Sequence, residues 1–274
     1  ADGAAVSELL CWLDAQAPGL ADTALTEIDV VRKLEALRVA RGILDISFDS
    51  IVGAGPHGAI MHYRVSEKSN RRIRPGDILL VDSGGQYDNG TTDITRTLPM
   101  GGGYDMAVRR PYTRVLQGMI AISRAQFPRG IAGAHIDALA RAPLWSEGMD
   151  YDHGTGHGVG AGLSVHEGPV RISRVSDIAL QPGMILSNEP GYYREGAFGI
   201  RLENLIVVHE VESGDGRDML GFETLTLAPL DRRLIEPDLL SAEEIAWLDA
   251  YHARVWDEIA PLVADQTRDW LFLA

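Results

Sequence analysis

The chain has 274 residues, 45% of them hydrophobic, which is enough to bury a sizeable core as one large domain or as one domain with an appendage. A formal net charge of −14 argues against nucleic acid or anionic membrane as partners, because both require a basic face. The longest apolar stretches, Ile78 to Val81 and Leu205 to Val208, fall far short of the roughly 20 residues that span a bilayer.

The single cysteine, Cys11, has no partner for an internal disulfide; it fits a reducing compartment and reads as a small buried residue on a helix. The first residue is Ala rather than Met, and residues 1–19 lack the basic start and continuous apolar run of a secretory signal, so the start is read as a cut from a longer protein.

In chain order, a first helix is expected over Ala4 to Ala15 and a second over Thr26 to Arg41. There Thr26 and Asp29 resemble a capping box, and Ile28, Val31, Leu34 and Leu37 recur at helical spacing. Strands are expected at Ile78 to Val81 and Thr91 to Thr97, helices at Tyr112 to Ala125 and Ile136 to Trp145, and strands again at Ile185 to Ser187 and Ile200 to Val208. After Pro237, Ser241 and Glu244 form a second capping-box pattern, with Ile245, Leu248, Val255, Trp256 and Ile259 on one face of a last helix.

One internal echo organises this series. Pro75-Gly76-Asp77-Ile78-Leu79 precedes Asp82, and Pro182-Gly183-Met184-Ile185-Leu186 precedes Glu189, at a constant offset of 107 residues. A second carboxylate follows each copy: Asp93 in the first and Glu203 in the second. The pattern reads as two related hairpins, and a pseudo-twofold arrangement of them would bring four carboxylates to one centre. Alternation places Asp93 on one strand face with Thr95 and Thr97, and Glu203 on one face with Arg201 and Leu205. An acid in the middle of an aliphatic strand is costly unless paired or bound to metal. For Glu203 the plain alternative is an ion pair with Arg201.

His153-Gly154-Thr155-Gly156-His157-Gly158 adds two imidazoles among glycines, and His166 follows nine residues after His157. Carboxylate oxygens with one imidazole suit manganese, zinc, cobalt or iron rather than a metal that prefers thiolate. Gly101-Gly102-Gly103 and the histidine loop match neither a phosphate loop nor a dinucleotide fingerprint. A serine-hydrolase elbow is unsupported for want of a serine inside the glycine run, and the apolar neighbours of Cys11 do not suggest a nucleophile.

The strings VDSGGQYDNGTTDITRT, HGTGHGVGAGLSVHEGP and SNEPGYYREGAFGIRLEN together resemble the pita-bread metallopeptidases, and among them the Xaa-Pro aminopeptidases. The likeness runs from the first helices through GFETLTLAPL to the C-terminal helices. It implies an α+β pita-bread fold with pseudo-twofold duplicated halves, in which helices cover a curved, mostly antiparallel sheet. Residues 1–230 would be the catalytic domain and 231–274 a helical extension, with upstream non-catalytic domains absent from this chain. Carried over by position, the metal ligands would be Asp82, Asp93, His157, Glu189 and Glu203, with Asp93 and Glu203 bridging two divalent ions. Manganese is the expected metal, with zinc or cobalt as alternatives, and the two ions would share a bridging water or hydroxide.

His62, His153 and His166 correspond to the family's outer histidines, and Arg201 to the arginine that supports the last ligand. The implied activity is hydrolysis of the bond between an N-terminal residue and a following proline. Glu189 would take the proton from the attacking water, His166 or His153 would donate to the carbonyl oxygen, His62 would line the proline pocket, and Tyr193 could orient the site. A prolidase acting on Xaa-Pro dipeptides and a metal-free binding module are the alternatives, and a methionine aminopeptidase fits less well. The resemblance further implies peptide substrates with proline in second position, a homodimer through the C-terminal helices, and a cytoplasmic location.

Overall fold

Two Pro-Gly turns, 107 residues apart, start the two halves in the same way. In the computed structural model, which describes residues 1–273, Gly76 has φ +88° and Gly183 has φ +87°, a conformation open to glycine and strained for other residues. The amide of Asp77 donates to the Arg74 carbonyl at 3.0 Å, and that of Met184 to the Gln181 carbonyl at 3.1 Å, closing a turn with Pro second and Gly third in each copy. The glycine amide then reaches the partner strand: Gly76 to the Met100 carbonyl and Gly183 to the Val208 carbonyl, both at 2.9 Å. The echo is thus a repeat of backbone geometry.

In chain order the elements are α1 (Asp2–Gln16), α2 (Glu27–Val39), β1 (Asp45–Ala54), β2 (Asp77–Tyr87), β3 (Gly90–Thr91), β4 (Ile94–Met100), α3 (Met106–Ser123), β5 (Phe127–Pro128) and α4 (Gly133–Trp145). They continue with β6 (Gly156–His157), β7 (Arg171–Ile172), β8 (Ile185–Asn188), β9 (Gly191–Arg194), β10 (Phe198–Arg201), β11 (Asn204–Val211), β12 (Met219–Thr224), α5 (Ala242–Ile259) and α6 (Asp265–Leu273). Every pairing between these strands is antiparallel.

Each half is one four-stranded sheet covered by a helix pair. In the first, β2 pairs with β1, β3 and β4, and α1 and α2 pack Leu9, Leu13 and Leu34 against Leu79, Val81 and Ile94. In the second, the order is β5-β12-β11-β8, and α3 and α4 pack Ile122, Ile136 and Ala140 against Leu186, Ile206 and Leu220. A further core joins α3, β10, α5 and α6 through Met119, Ile200, Val255 and Leu271. The capping boxes at Thr26 and Ser241 form as expected, and Cys11 is buried on α1. Among the described residues no helix is long and apolar enough to cross a membrane.

Three expectations need correction. The helix expected from Tyr112 starts at Met106, capped by the Asp105 side chain, and continues through Pro111, which cannot donate to the Ala107 carbonyl four residues before it. The strand expected over Thr91 to Thr97 is interrupted at Thr92 and Asp93, although the Thr92 amide still bonds to the facing Gly85 carbonyl of β2 at 2.8 Å and the register on β2 is the same on either side. The strand expected over Ile200 to Val208 is interrupted at Leu202 and Glu203, where the chain leaves β9 for β8 and the Glu203 amide bonds across to the Thr95 carbonyl at 3.2 Å. Asp93 and Glu203 therefore occupy two strand breaks at the seam between the halves.

Candidate metal centre

Five elements deliver the candidate ligands. Asp82 stands on β2 opposite Thr95, His157 ends β6, and Glu189 follows β8 directly; Asp93 and Glu203 come from the two breaks. Close backbone contact between β6 and β8 sets His157 beside Glu189. A Cβ on Gly156 would lie 1.9 Å from the Ser187 carbonyl oxygen, so only glycine allows the approach. The Ser187 hydroxyl then accepts from the His157 amide at 2.9 Å and donates to Glu189 Oε1 at 3.0 Å.

Ligand atoms of Asp82, Asp93 and Glu203 lie within 4.8 Å of one another, as do those of His157, Glu189 and Glu203, and those of Asp93, His157 and His166. Asp93, His157 and Glu203 each belong to two of these groups, so the three groups form one continuous cluster. His157 Nδ1 bonds to the Gly158 carbonyl at 2.9 Å, which places the ring proton there. Its Nε2, 3.4 Å from both Asp93 and Glu189, is left with a lone pair directed at the carboxylates, the tautomer a metal requires.

The charge balance calls for cations. Asp82 Oδ1 is buried with no hydrogen-bond partner among the described residues. Burial, and then the repulsion of Asp82 and Glu189, pushes the Asp93 carboxyl well above its ordinary value. Burial and the Asp93 charge do the same to Glu203, and burial raises Glu189 against the pull of His157 and Arg201. Four carboxylates and one imidazole around this centre fit divalent cations, which would supply the missing positive charge.

Among the described residues Arg201 is the guanidinium that bonds directly to a carboxylate of these ligands. Its Nη2 donates to Asp82 Oδ2 at 2.6 Å, whereas the sequence suggested a pairing with Glu203. The break at Leu202 separates Arg201 from the strand that carries Glu203 onward, and Arg201 turns to β2 instead. Glu203 Oε2 accepts from the Thr95 hydroxyl at 2.7 Å, and Arg201 Nε reaches that hydroxyl at 3.2 Å. Burial alone would weaken the charge of Arg201, but Tyr193, Asp82 and Glu189 outweigh it and hold the guanidinium protonated.

From Arg201 the chain of bonds continues outward. Nη1 donates to the Tyr193 hydroxyl at 2.7 Å, Tyr193 meets His153 Nε2 at 2.8 Å, and His153 Nδ1 meets the Gly154 carbonyl at 2.7 Å. With Nδ1–H committed to that carbonyl, Nε2 accepts from the tyrosine, and burial, reinforced by Arg201, pushes the pKa of His153 down to about 3. Both ring nitrogens of His153, one of the two histidines expected to donate to a substrate carbonyl, are engaged within the protein.

His166 stacks edge-on against His157 with ring centroids 4.0 Å apart, and His62 is exposed on the wall of the same cavity. That cavity measures about 670 Å³ and is lined by Asp82, Asp93, His153, His157, Glu189, Arg201 and Glu203, with Phe48, Ile51, Met61 and Val165 as its apolar part.

Three supporting residues escaped the sequence analysis: Thr95, Ser187 and Arg96. The signal for Thr95 was its shared face with Asp93. For Arg96 it was a cation inside the buried strand Ile94–Met100. Ser187, an ordinary small polar residue, gave none.

A profile of metallopeptidase family M24 matches residues 1–210, and one for the C-terminal region of the same peptidases matches residues 218–273. A probable Xaa-Pro aminopeptidase P of Tuber melanosporum is 49% identical over 94% of this chain and 42% of its own length, and aminopeptidase P2 of Arabidopsis thaliana is 46% identical over 99% and 39%. The chain thus spans about two fifths of the length of these relatives.

Among solved structures, an X-prolyl aminopeptidase of Caenorhabditis elegans, described as a cytosolic enzyme with a di-nuclear active site, superposes with a TM-score of 0.93 at 38% identity, covering 100% of this chain and 45% of that one. An Xaa-Pro dipeptidase of Bacillus anthracis gives 0.67 at 31% identity, covering 82% and 59%. The α+β pita-bread architecture expected from the sequence is the one these structures share. By the extent of the profile match and by this shared fold, the chain belongs to metallopeptidase family M24.

Proposed function

We propose that the chain is the catalytic part of an Xaa-Pro aminopeptidase, with Asp82, Asp93, His157, Glu189 and Glu203 holding two divalent cations, of which manganese is the expected pair. The observation that carries this reading is the meeting of four carboxylates and one correctly tautomerised imidazole at a seam where Asp82 Oδ1 has no protein partner. The relatives named above support the proline preference, which the residues alone do not specify.

Divalent cations held by these five residues would supply Lewis-acid activation of a water and of the scissile carbonyl. Glu189, directly after β8 and steadied by Ser187, would be the residue that takes up a proton from the attacking water. His166, beside His157, donates a hydrogen bond to the carbonyl oxygen, which contributes a few kcal/mol in sites of this kind. His62 and the neighbouring Met61 and Ile51 form the wall against which the proline ring packs. His153, through Tyr193, holds Arg201 and thereby Asp82, and is a positioning residue.

The exposed Leu262 and Phe272 at the C-terminal helices support a homodimer through that face, and a cytoplasmic location follows the C. elegans relative. Residues 231–274 are read as a helical extension of the catalytic unit 1–230. The deciding experiment loads the protein with manganese, counts bound metal by mass spectrometry, and compares Xaa-Pro-Xaa, Xaa-Pro and Met-Ala peptides. Two metals with tripeptide cleavage are expected. Cleavage of the Xaa-Pro dipeptide alone would identify a prolidase, and cleavage of Met-Ala alone would overturn the reading.

A further inference from the structure

We infer that Arg96 is a positioning residue that holds the bridging ligand Glu203 from behind the metal centre and ties its place to helix α5. On β4 Arg96 stands opposite Val81, and alternation sends its side chain away from the face of Thr95 and Thr97. It is 2% exposed, and no carboxylate accepts from it among the described residues. A buried cation without a counter-charge is expensive, and a neutral side chain would avoid the cost.

The compensation lies in neutral acceptors. Nε donates to the Pro229 carbonyl at 3.0 Å. Nη1 donates to the carbonyls of Thr95 at 2.9 Å and Glu203 at 2.6 Å. Nη2 faces Asn204 Oδ1 at 2.9 Å, the Ala228 carbonyl at 2.8 Å and the Tyr251 hydroxyl at 3.0 Å. The planar fork fixes these groups in relation to one another as a flexible ammonium could not.

One nitrogen, Nη1, therefore clamps both sides of the seam. Glu203 is held at three points: its amide by the Thr95 carbonyl, its carboxylate by the Thr95 hydroxyl, and its carbonyl by Arg96. Because Glu203 lies in a strand break, no ladder partner fixes it, and these bonds take the place of the ladder. The far side of the fork rests on Ala228, Pro229 and Tyr251, so α5 bears on the geometry of a ligand to which, among the described residues, it makes no hydrogen bond. This inference rests on the proposed role of Glu203.

The test titrates manganese into the wild type, Arg96→Lys, Arg96→Met and Tyr251→Phe by calorimetry, alongside thermal unfolding and kcat and KM on a tripeptide. In the wild type two ions bind. In the Arg96 variants one ion is expected to bind about 10- to 100-fold more weakly, the usual effect of removing a group that orients a ligand. Tyr251→Phe is expected to shift the same ion in the same direction by less, and at saturating metal KM is expected to stay near the wild-type value.

A fall in melting temperature with both affinities unchanged overturns the inference, because a purely structural tie would behave that way. If Arg96→Met does not fold, the decision passes to Arg96→Lys and Tyr251→Phe, where equal affinities for both ions likewise overturn it. A wild type that binds no metal refutes the proposed centre itself, an outcome distinct from a failure of Arg96 alone.

Discussion

Arg201 and Asp82, 119 residues apart, form a buried ion pair with Nη2 2.6 Å from Oδ2. The pair joins β10 to β2 and leaves the other oxygen of Asp82 without a hydrogen-bond partner among the described residues. Breaking a buried pair by removing one member typically costs about 3–5 kcal/mol, because the remaining charge stays uncompensated. Arg201→Gln should therefore lose stability on that scale in metal-free protein and distinctly less after loading with manganese, since a cation on Asp82 restores the balance. Urea unfolding with and without metal measures both. An equal loss in the two conditions would detach Asp82 from the metal.

Tyr193 stands between Arg201 and His153 and touches no proposed ligand directly. Tyr193→Phe removes the hydroxyl that accepts from Arg201 and meets His153 Nε2. One such deletion leaves two buried groups short of a partner, worth about 1–3 kcal/mol. A fall of roughly tenfold in kcat/KM is expected, with metal stoichiometry unchanged, because Arg201 keeps its bond to Asp82. Steady-state kinetics and metal analysis on the same preparation separate this from a loss of ions.

How much of this was legible in the sequence depended on whether a feature was local. The echo of Pro75-Gly76 and Pro182-Gly183 was readable because a turn of that kind is written in adjacent residues, and the structure repeats it to the same φ and the same partner-strand bond. The capping boxes at Thr26 and Ser241 were readable for the same reason. The two strand breaks were not, since Glu203 bonds across to Thr95 in the other half and the interruption at Thr92 and Asp93 leaves the register on β2 unchanged, and neighbouring residues reveal neither. The partner of Arg201 was not legible for the same reason: nearness along the chain offered Glu203 as the plain alternative, while the fold supplies Asp82. Arg96 went unnoticed because a lone arginine within a short strand usually reads as an exposed edge, and only the fold shows six oxygens around it.

Glu203 carries opposite burdens in the metal-free and metal-bound states. Without ions it is a buried carboxyl pushed upward by burial and then by the charges of Asp93, Glu189 and Asp82. Glu203→Gln removes one of the repelling charges and keeps a side-chain oxygen for the Thr95 hydroxyl. The metal-free variant should melt at or above the metal-free wild type, while the stabilisation gained on adding manganese should shrink and at least one ion should bind more weakly. Paired thermal melts with a manganese titration read both signs. A variant less stable than wild type without metal and equally responsive to manganese would contradict the assignment.

His252 offers a pH dependence away from the centre. On α5 its Nε2 accepts from the Leu230 amide at 3.1 Å, a bond open only to the neutral ring. Burial, then the repulsion of Arg96 and Arg232 against the opposing pull of Asp249, holds its pKa down to about 4 from an ordinary 6.5. The unfolded chain therefore takes up this proton at a higher pH than the folded one does. The contribution to stability is complete above about pH 6.5 and is lost progressively as the pH falls to about 4, where the folded state too becomes protonated. Allowing for partial exposure of the ring, the loss should be about 2 kcal/mol. His252→Gln retains an acceptor for Leu230 and cannot take up the proton, so the difference in unfolding free energy between wild type and variant should narrow in favour of the variant between pH 7 and pH 4. Since the carboxylates of the centre titrate in both proteins alike, comparing the two isolates His252. A difference that stays constant across that range would show that the ring is protonated in the folded state as readily as in the unfolded chain.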